Sequence, residues 1–302
     1  MQSLEVTQRT RGGTRTRTFD ALGHTFAVAC EDDVAGVLDD AFAALAVNAD
    51  PDDWYCVARG DASFTVARNG HILARAVDLV DAVERLRRDV NRRAVTAADG
   101  DLVLHAGAVE LDGGAIVVST PAHGGASTLV AALVAEGCGY LADEAVPVRL
   151  QDARVSPFPQ PLALDDRALD LLPEIPTLRI GRTHDAAARR LVALRSTAGS
   201  TSTLPVAMVA FPERDWSGVT VVEPVSSDDA VVRLAERCFN FPRHGRVAID
   251  TLTRLVADGA AVAVVGGDPR GSARALLDAF FSDPFSTSCS GHGPFIECAK
   301  GG

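Results

Sequence analysis

The chain has 302 residues, 47% of them hydrophobic, with a formal net charge of -11 and a pI near 5.1. That much apolar content supports a buried core and excludes disorder as the default. The acidic balance excludes a general binder of nucleic acid or anionic membrane, which would need a basic face to release counterions.

Of the 29 basic residues, every one but Lys300 is arginine. Cys30, Cys56, Cys138, Cys238, Cys289 and Cys298 are scattered without the spacing of a disulfide scaffold, which predicts a reduced, cytoplasmic setting. The first residues, MQSLEVTQRTRGGTRTRT, carry basic side chains with no apolar run behind them, so they do not read as a secretory signal. No apolar stretch reaches membrane-spanning length.

In chain order, residues 18–76 alternate in short segments, TFDALGHTFAVAC, WYCVARG and SFTVARNGHILARA, interrupted by the helically spaced GVLDDAFAALAV. A helix is predicted over VDLVDAVERLRRDVNRRAV. Val77, Val80, Val83, Leu86 and Val90 share its apolar face, and Arg87, Arg88, Arg92 and Arg93 lie mostly on a solvated one. DLVLHAGAVELDGGAIVVST then gives two strand-like runs joined by LDGG, a hairpin signal. STLVAALVAEG is an amphipathic helix ended by Gly137, and CGYLADEAVPVRL is a strand with acidic residues at its end. SPFPQPLAL reads as a loop, LPVAMVAFPE as a buried strand, and residues 230–255 as helix broken near Pro242. AAVAVVGG is a last strand, RGSARALLDAFF a last helix, and a Gly/Pro/Ser-rich tail follows from Ser282. These elements predict an α/β fold divided into a small N-terminal α/β unit with a linking helix (1–100), a core (101–285) and a tail (286–302).

The stretch AIVVSTPAHGGASTLVAALVAEG has the layout of a phosphate-binding loop: buried strand, small-residue turn, Ser-Thr pair, apolar helix. Such a loop works because backbone N–H groups and a helix N-terminus face anionic oxygens, a lysine neutralises the terminal phosphates, and a hydroxyl binds Mg²⁺. Aligned on G-x-x-x-x-G-K-[ST], this chain has Thr120 for the first glycine, Gly125 for the second, Ala126 for the lysine and Ser127 for the hydroxyl, followed by Thr128. His123, beside Gly124, brings an imidazole to the place where small residues hug a phosphate. Each lost charge-assisted hydrogen bond removes roughly 1.5–3 kcal/mol. Weak nucleotide binding at most, and poor phosphoryl transfer, are therefore expected. Taken alone, STPAHGGASTL is equally a strand-to-helix turn capped by Ser119 or Ser127.

LHAGAVE, the hairpin, the loop, GYLADEAVPV and VSPFPQPLAL, taken together in this order and spacing, resemble the HPr kinase/phosphorylase family, in particular its relatives found beside natural-product peptide pathways. The resemblance covers about Leu104 to Phe281. It implies an α/β P-loop core with a mixed sheet flanked by helices, of the phosphoenolpyruvate carboxykinase type. It further implies that His105 lies beside a terminal phosphate, that Ser127 binds Mg²⁺, and that Asp143 and Glu144 supply a metal contact and a base for a substrate hydroxyl. The bland readings are a packed core histidine and a capped strand end.

Two further clusters stand out. Cys289, His292 and Cys298 have a spacing that matches no common zinc site. CFNFPRHGR gathers Phe239, Phe241, Arg243, His244 and Arg246 at a helix break, where the phenylalanines read as packing and the arginines stay open.

Two functional readings follow. In the first, the chain keeps a kinase scaffold without its chemistry and binds a peptide or partner protein, in the family context the precursor of a ribosomally made, post-translationally modified peptide. No cofactor, metal, nucleic acid or membrane is expected, and a homo-oligomer is compatible. In the alternative, the chain is an ATP- and Mg²⁺-dependent Ser/Thr kinase of a peptide, with an arginine compensating for Ala126. A plain scaffold subunit is a third option.

Overall fold

The computed structural model describes residues 14–121, 124–175, 178–182, 189–194, 202–213, 218–257 and 259–282. His123 and the Cys289, His292 and Cys298 cluster lie outside the described residues. The fold is mixed α/β, with mixed sheets and flanking helices.

The first sheet is built from β1 (Thr14–Ala21), β2 (His24–Glu31), β3 (Ala46–Val47), β4 (Asp53–Arg59), β5 (Phe64–Arg68) and β6 (His71–Ala76), in the order β3-β1-β2-β4-β5-β6. β2 and β4 run parallel because α1 (Asp32–Phe42) crosses between them. The other neighbours are antiparallel. The β5–β6 turn, Asn69-Gly70, has both residues at positive φ (48° and 79°), the twist that a two-residue hairpin needs. Phe19, Phe26, Phe42 and Tyr55 form the aromatic centre of this unit's core.

α2 (Leu79–Ala97) starts where the Asp78 side chain accepts the Asp81 backbone N–H at 2.9 Å. Val80, Val83, Leu86 and Val90 are buried as their spacing predicts. Two details differ from that prediction. Val77 precedes the helix and is exposed, and Arg87, expected on the solvated face, is only 1% exposed. Arg87 follows Val83 by four positions and precedes Val90 by three, so the helical repeat carries it into the buried stripe.

The predicted first run of DLVLHAGAVE splits at His105-Ala106. β7 (Asp101–Leu104) pairs with β11 (Val146–Arg149), whereas β8 (Gly107–Leu111) pairs with β9 (Gly114–Val118) and with β10 (Gly139–Ala142). The predicted LDGG hairpin joins β8 to β9, with Asp112 and Gly113 at φ 49° and 76°. α3 (Ala126–Ala135) follows the loop. β12 (Leu162–Asp165), α4 (Asp166–Leu171), β13 (Leu178–Arg182) and β14 (Arg189–Ala193) add a three-stranded sheet, so SPFPQPLAL runs into a strand rather than remaining loop. β15 (Val206–Glu213), β16 (Val221–Pro224), α5 (Ser227–Ala235), α6 (Phe241–His244), α7 (Arg246–Ala257), β17 (Ala260–Val265) and α8 (Pro269–Ser282) complete the described chain.

The central sheet runs β10-β8-β9-β15-β17-β16, with β9, β15 and β17 parallel and β9 buried along its whole length. α3 and α8 cover one face, Leu129, Val130, Leu133 and Leu276 packing with Ile116, Val118, Met208 and Val262. Here β8 and α3 approach so closely that a Cβ on Gly107 would lie 2.4 Å from a Val130 methyl and 3.3 Å from Asp143 Oδ1. Gly107→Ala is therefore expected to lower unfolding free energy by about 1–3 kcal/mol in urea titration. Gly100→Ala, whose added methyl meets nothing within 4 Å, should change it by less than about 0.5 kcal/mol.

Candidate functional site

The loop between β9 and α3 sits at the carboxyl ends of the parallel strands, where open α/β sheets place ligands. Its interior is committed to its own geometry. The Gly124 N–H donates to the Pro121 carbonyl at 2.8 Å, and the Thr120 hydroxyl donates to the Pro212 carbonyl at 3.2 Å. A Cβ on Gly124 would stand 1.9 Å from Thr120 Oγ1, so only glycine closes this turn. Gly125, at φ 101°, begins α3 without any side-chain cap. Ala126 brings no charge to the first turn.

The sequence-predicted Ser127, Asp143 and Glu144 come together behind the loop. Ser127 Oγ donates to Asp143 Oδ2 at 2.9 Å. Asp143 is fully buried after the end of β10, and that burial, with the Glu144 charge next to it, raises its pKa to about 7 against the opposing Ser127 hydrogen bond. Glu144 is a non-glycine residue in the left-handed region, φ 64°, a conformation that costs of order 1–3 kcal/mol.

An interaction absent from the sequence reading offsets that strain. Arg87 Nη1 donates to Glu144 Oε2 at 2.7 Å. The same guanidinium holds Glu84 through two contacts, Nε to Oε2 at 2.9 Å and Nη2 to Oε1 at 3.0 Å. Burial disfavours the Glu144 charge, but Arg87 outweighs it and holds the carboxyl below its ordinary range. Two adjacent carboxylates are thus driven apart, Asp143 towards the neutral form and Glu144 towards the charged one.

His105 is half-buried and interacts electrostatically with Glu144. Its ring lies 5.4 Å from that of Phe239, and its backbone N–H donates to the Arg237 carbonyl at 2.7 Å.

Gly124, Gly125 and Thr128 face a separate cleft of about 160 Å³, shared with Arg167, Glu213 and Gly267. Small-molecule sites usually start at about 300 Å³. Arg167 is the residue here that the sequence did not signal, since it lies in a six-residue helix distant in sequence from the loop. The residues present fit a Mg²⁺-nucleotide poorly: the cleft carries the Glu213 carboxylate, the loop lacks its ammonium, and Ser127 and Asp143 are bonded to each other.

Protein-family profiles give no match to the chain, and no curated protein matches it. Among solved structures, the Hpr(Ser) kinase/phosphatase from Coxiella burnetii is similar at 8% identity, over 59% of this chain and 90% of that one, with a TM-score of 0.29. At that score nothing about this chain's chemistry follows from the neighbour.

Two outcomes test the electrostatics. Because Asp143 holds its proton more tightly folded than unfolded, it contributes fully below its unfolded value of 3.8, and that contribution is lost as pH rises towards about 7. Asp143→Asn should flatten the urea-derived stability profile between those limits. Arg87→Met should cost roughly 3–5 kcal/mol by leaving the Glu144 carboxylate without its cation, Glu84 keeping Arg88 at 2.7 Å, and adding Glu144→Gln should recover part of it in a double-mutant cycle.

Proposed function

We propose that this chain is a catalytically degenerate member of the HPr kinase-like α/β class that binds a peptide or partner protein and does not transfer phosphate. The observation that carries the reading is the engagement of Glu144 by Arg87 at 2.7 Å. A general base must be free to take a proton from the substrate hydroxyl. Glu144 is instead a charge held by a guanidinium that never deprotonates. Asp143, the other carboxylate, has its pKa raised to about 7 by burial and the Glu144 charge, and its Oδ2 is taken up by the Ser127 hydroxyl. Ala126 leaves the developing charge of a phosphoryl transfer without its usual cation. The partner class implied by the sequence resemblance is a precursor peptide of the ribosomally made, modified kind, in a cytoplasmic setting.

A second reading has one observation in its favour. Arg167 lines the same cleft as Gly124, Gly125 and Thr128, which supports it as the arginine that would substitute for the missing lysine. In that case the chain is an ATP-dependent Ser/Thr kinase, and Arg167→Gln abolishes its nucleotide binding.

Calorimetric titration of the full chain with Mg²⁺-ATP decides between them. The expected result is no resolvable heat at millimolar nucleotide. Micromolar binding, together with transfer of the γ-phosphate to a peptide at a rate abolished by Asp143→Ala, would overturn the non-catalytic reading.

A further inference from the structure

A second cavity, of about 360 Å³, opens on the His105 side of the loop and is lined by His105, Pro121, Glu236, Arg237, Cys238 and Phe239. Its wall is fixed by the segment that follows α5. The Phe239 N–H donates to the Val103 carbonyl at 2.9 Å, and the His105 N–H to the Arg237 carbonyl at 2.7 Å, so residues 237–239 run along the edge of β7. Asn240 pins the end of that segment by accepting the Val103 N–H and donating to the Asp101 carbonyl, both at 2.9 Å. The cavity is thus built on backbone pairing.

Arg237 is unusual in this chain. Most described arginines are held by a carboxylate, among them Arg68, Arg87, Arg233 and Arg274. Among the described residues Arg237 makes one hydrogen bond, from Nη1 to the Arg233 carbonyl at 2.6 Å. Among the described residues its Nε–H is buried with no hydrogen-bond partner, and the neighbouring Glu236 acts on it through its charge. A buried donor without an acceptor costs about 1–3 kcal/mol, and Arg237 itself lines the cavity, where a guanidinium with five N–H donors keeps others for an oxyanion. Phe239, half exposed on the same wall, offers an aromatic face beside it. Glu236 lines the cavity too, and its charge opposes a dianion more than a monoanion. A volume near the lower end of small-molecule sites suits one or two side chains.

Resting on the peptide-binding reading above, we infer that the His105, Arg237 and Phe239 cavity is the peptide site, taking a carboxylate side chain on Arg237 with an apolar or aromatic neighbour against Phe239.

The probes are N-acetyl-Phe-Glu-Phe-amide, its Gln counterpart and inorganic phosphate, each added to the full chain. Arginine Nε–H resonances are followed by NMR, with Arg237 assigned through Arg237→Gln, and affinities are measured by calorimetry. The Glu peptide should shift the Arg237 resonance and bind about tenfold or more tightly than the Gln peptide, the factor expected of one charge-assisted hydrogen bond. Arg237→Gln should erase that preference, and Phe239→Ala, altering an exposed ring, should weaken both peptides. Equal affinity for the two peptides, or a shift with phosphate and none with peptide, overturns the proposal. Mg²⁺-ATP titration and a phosphotransfer assay on the same sample keep the two failures apart: micromolar nucleotide binding with γ-phosphate transfer removes the non-catalytic reading, whereas silence to both nucleotide and peptide removes this cavity alone.

Discussion

The guanidinium of Arg87, buried between Glu84 and Glu144, is the contact on which the arrangement around the loop depends. It joins the helix that leaves the first sheet to the turn between β10 and β11, 57 positions later in the chain. A buried ion pair is weak evidence for net stability, because desolvating both charges offsets much of their attraction. Its effect is on arrangement. Removing Arg87 would leave the Glu144 carboxylate without its cation while Glu84 kept Arg88, so it is Arg87 that holds Glu144 in its left-handed backbone conformation.

From this follows the asymmetry of the acidic pair. Asp143 and Glu144 are neighbours whose charges repel in a buried place, so ionising both is costly unless a cation compensates. The cation present reaches Glu144. Asp143 is left with burial, a like charge beside it and one hydroxyl, and the proton stays with it nearly to neutrality. The pair is divided into a carboxylate held by a guanidinium and a carboxyl that titrates near neutrality.

How much of this the sequence disclosed depended on range. The β8–β9 hairpin was legible because Asp112-Gly113 must take left-handed angles, and the loop was legible because strand, small-residue turn and helix follow one another directly. The break in DLVLHAGAVE at His105 was not, since the apolar run is continuous and only pairing with β11 and β10, some forty residues on, separates β7 from β8. β14 was hidden for the same reason: its partner β12 follows a proline-rich stretch that reads as loop. Arg87 had a signal, its register with Val83 and Val90, but arginine's usual place in water outweighed it. Arg237 had none, because its unpartnered Nε–H is a fact about the folded neighbourhood.

The choice of cation ties composition to these sites. With every basic residue but Lys300 an arginine, the chain's buried positive charges are guanidiniums. A buried lysine escapes the cost of desolvation by losing its proton, whereas an arginine keeps its charge and must find acceptors. At Arg87 the acceptors are Glu84 and Glu144. At Arg237 one carbonyl is present and the buried Nε–H has none, in a molecule carrying eleven net negative charges. At physiological ionic strength that overall field is screened within about 8 Å, so repulsion governs approach while the nearest cation governs what happens on contact. An acidic protein can therefore hold an acidic group, provided the charge that receives it is one that cannot be discharged.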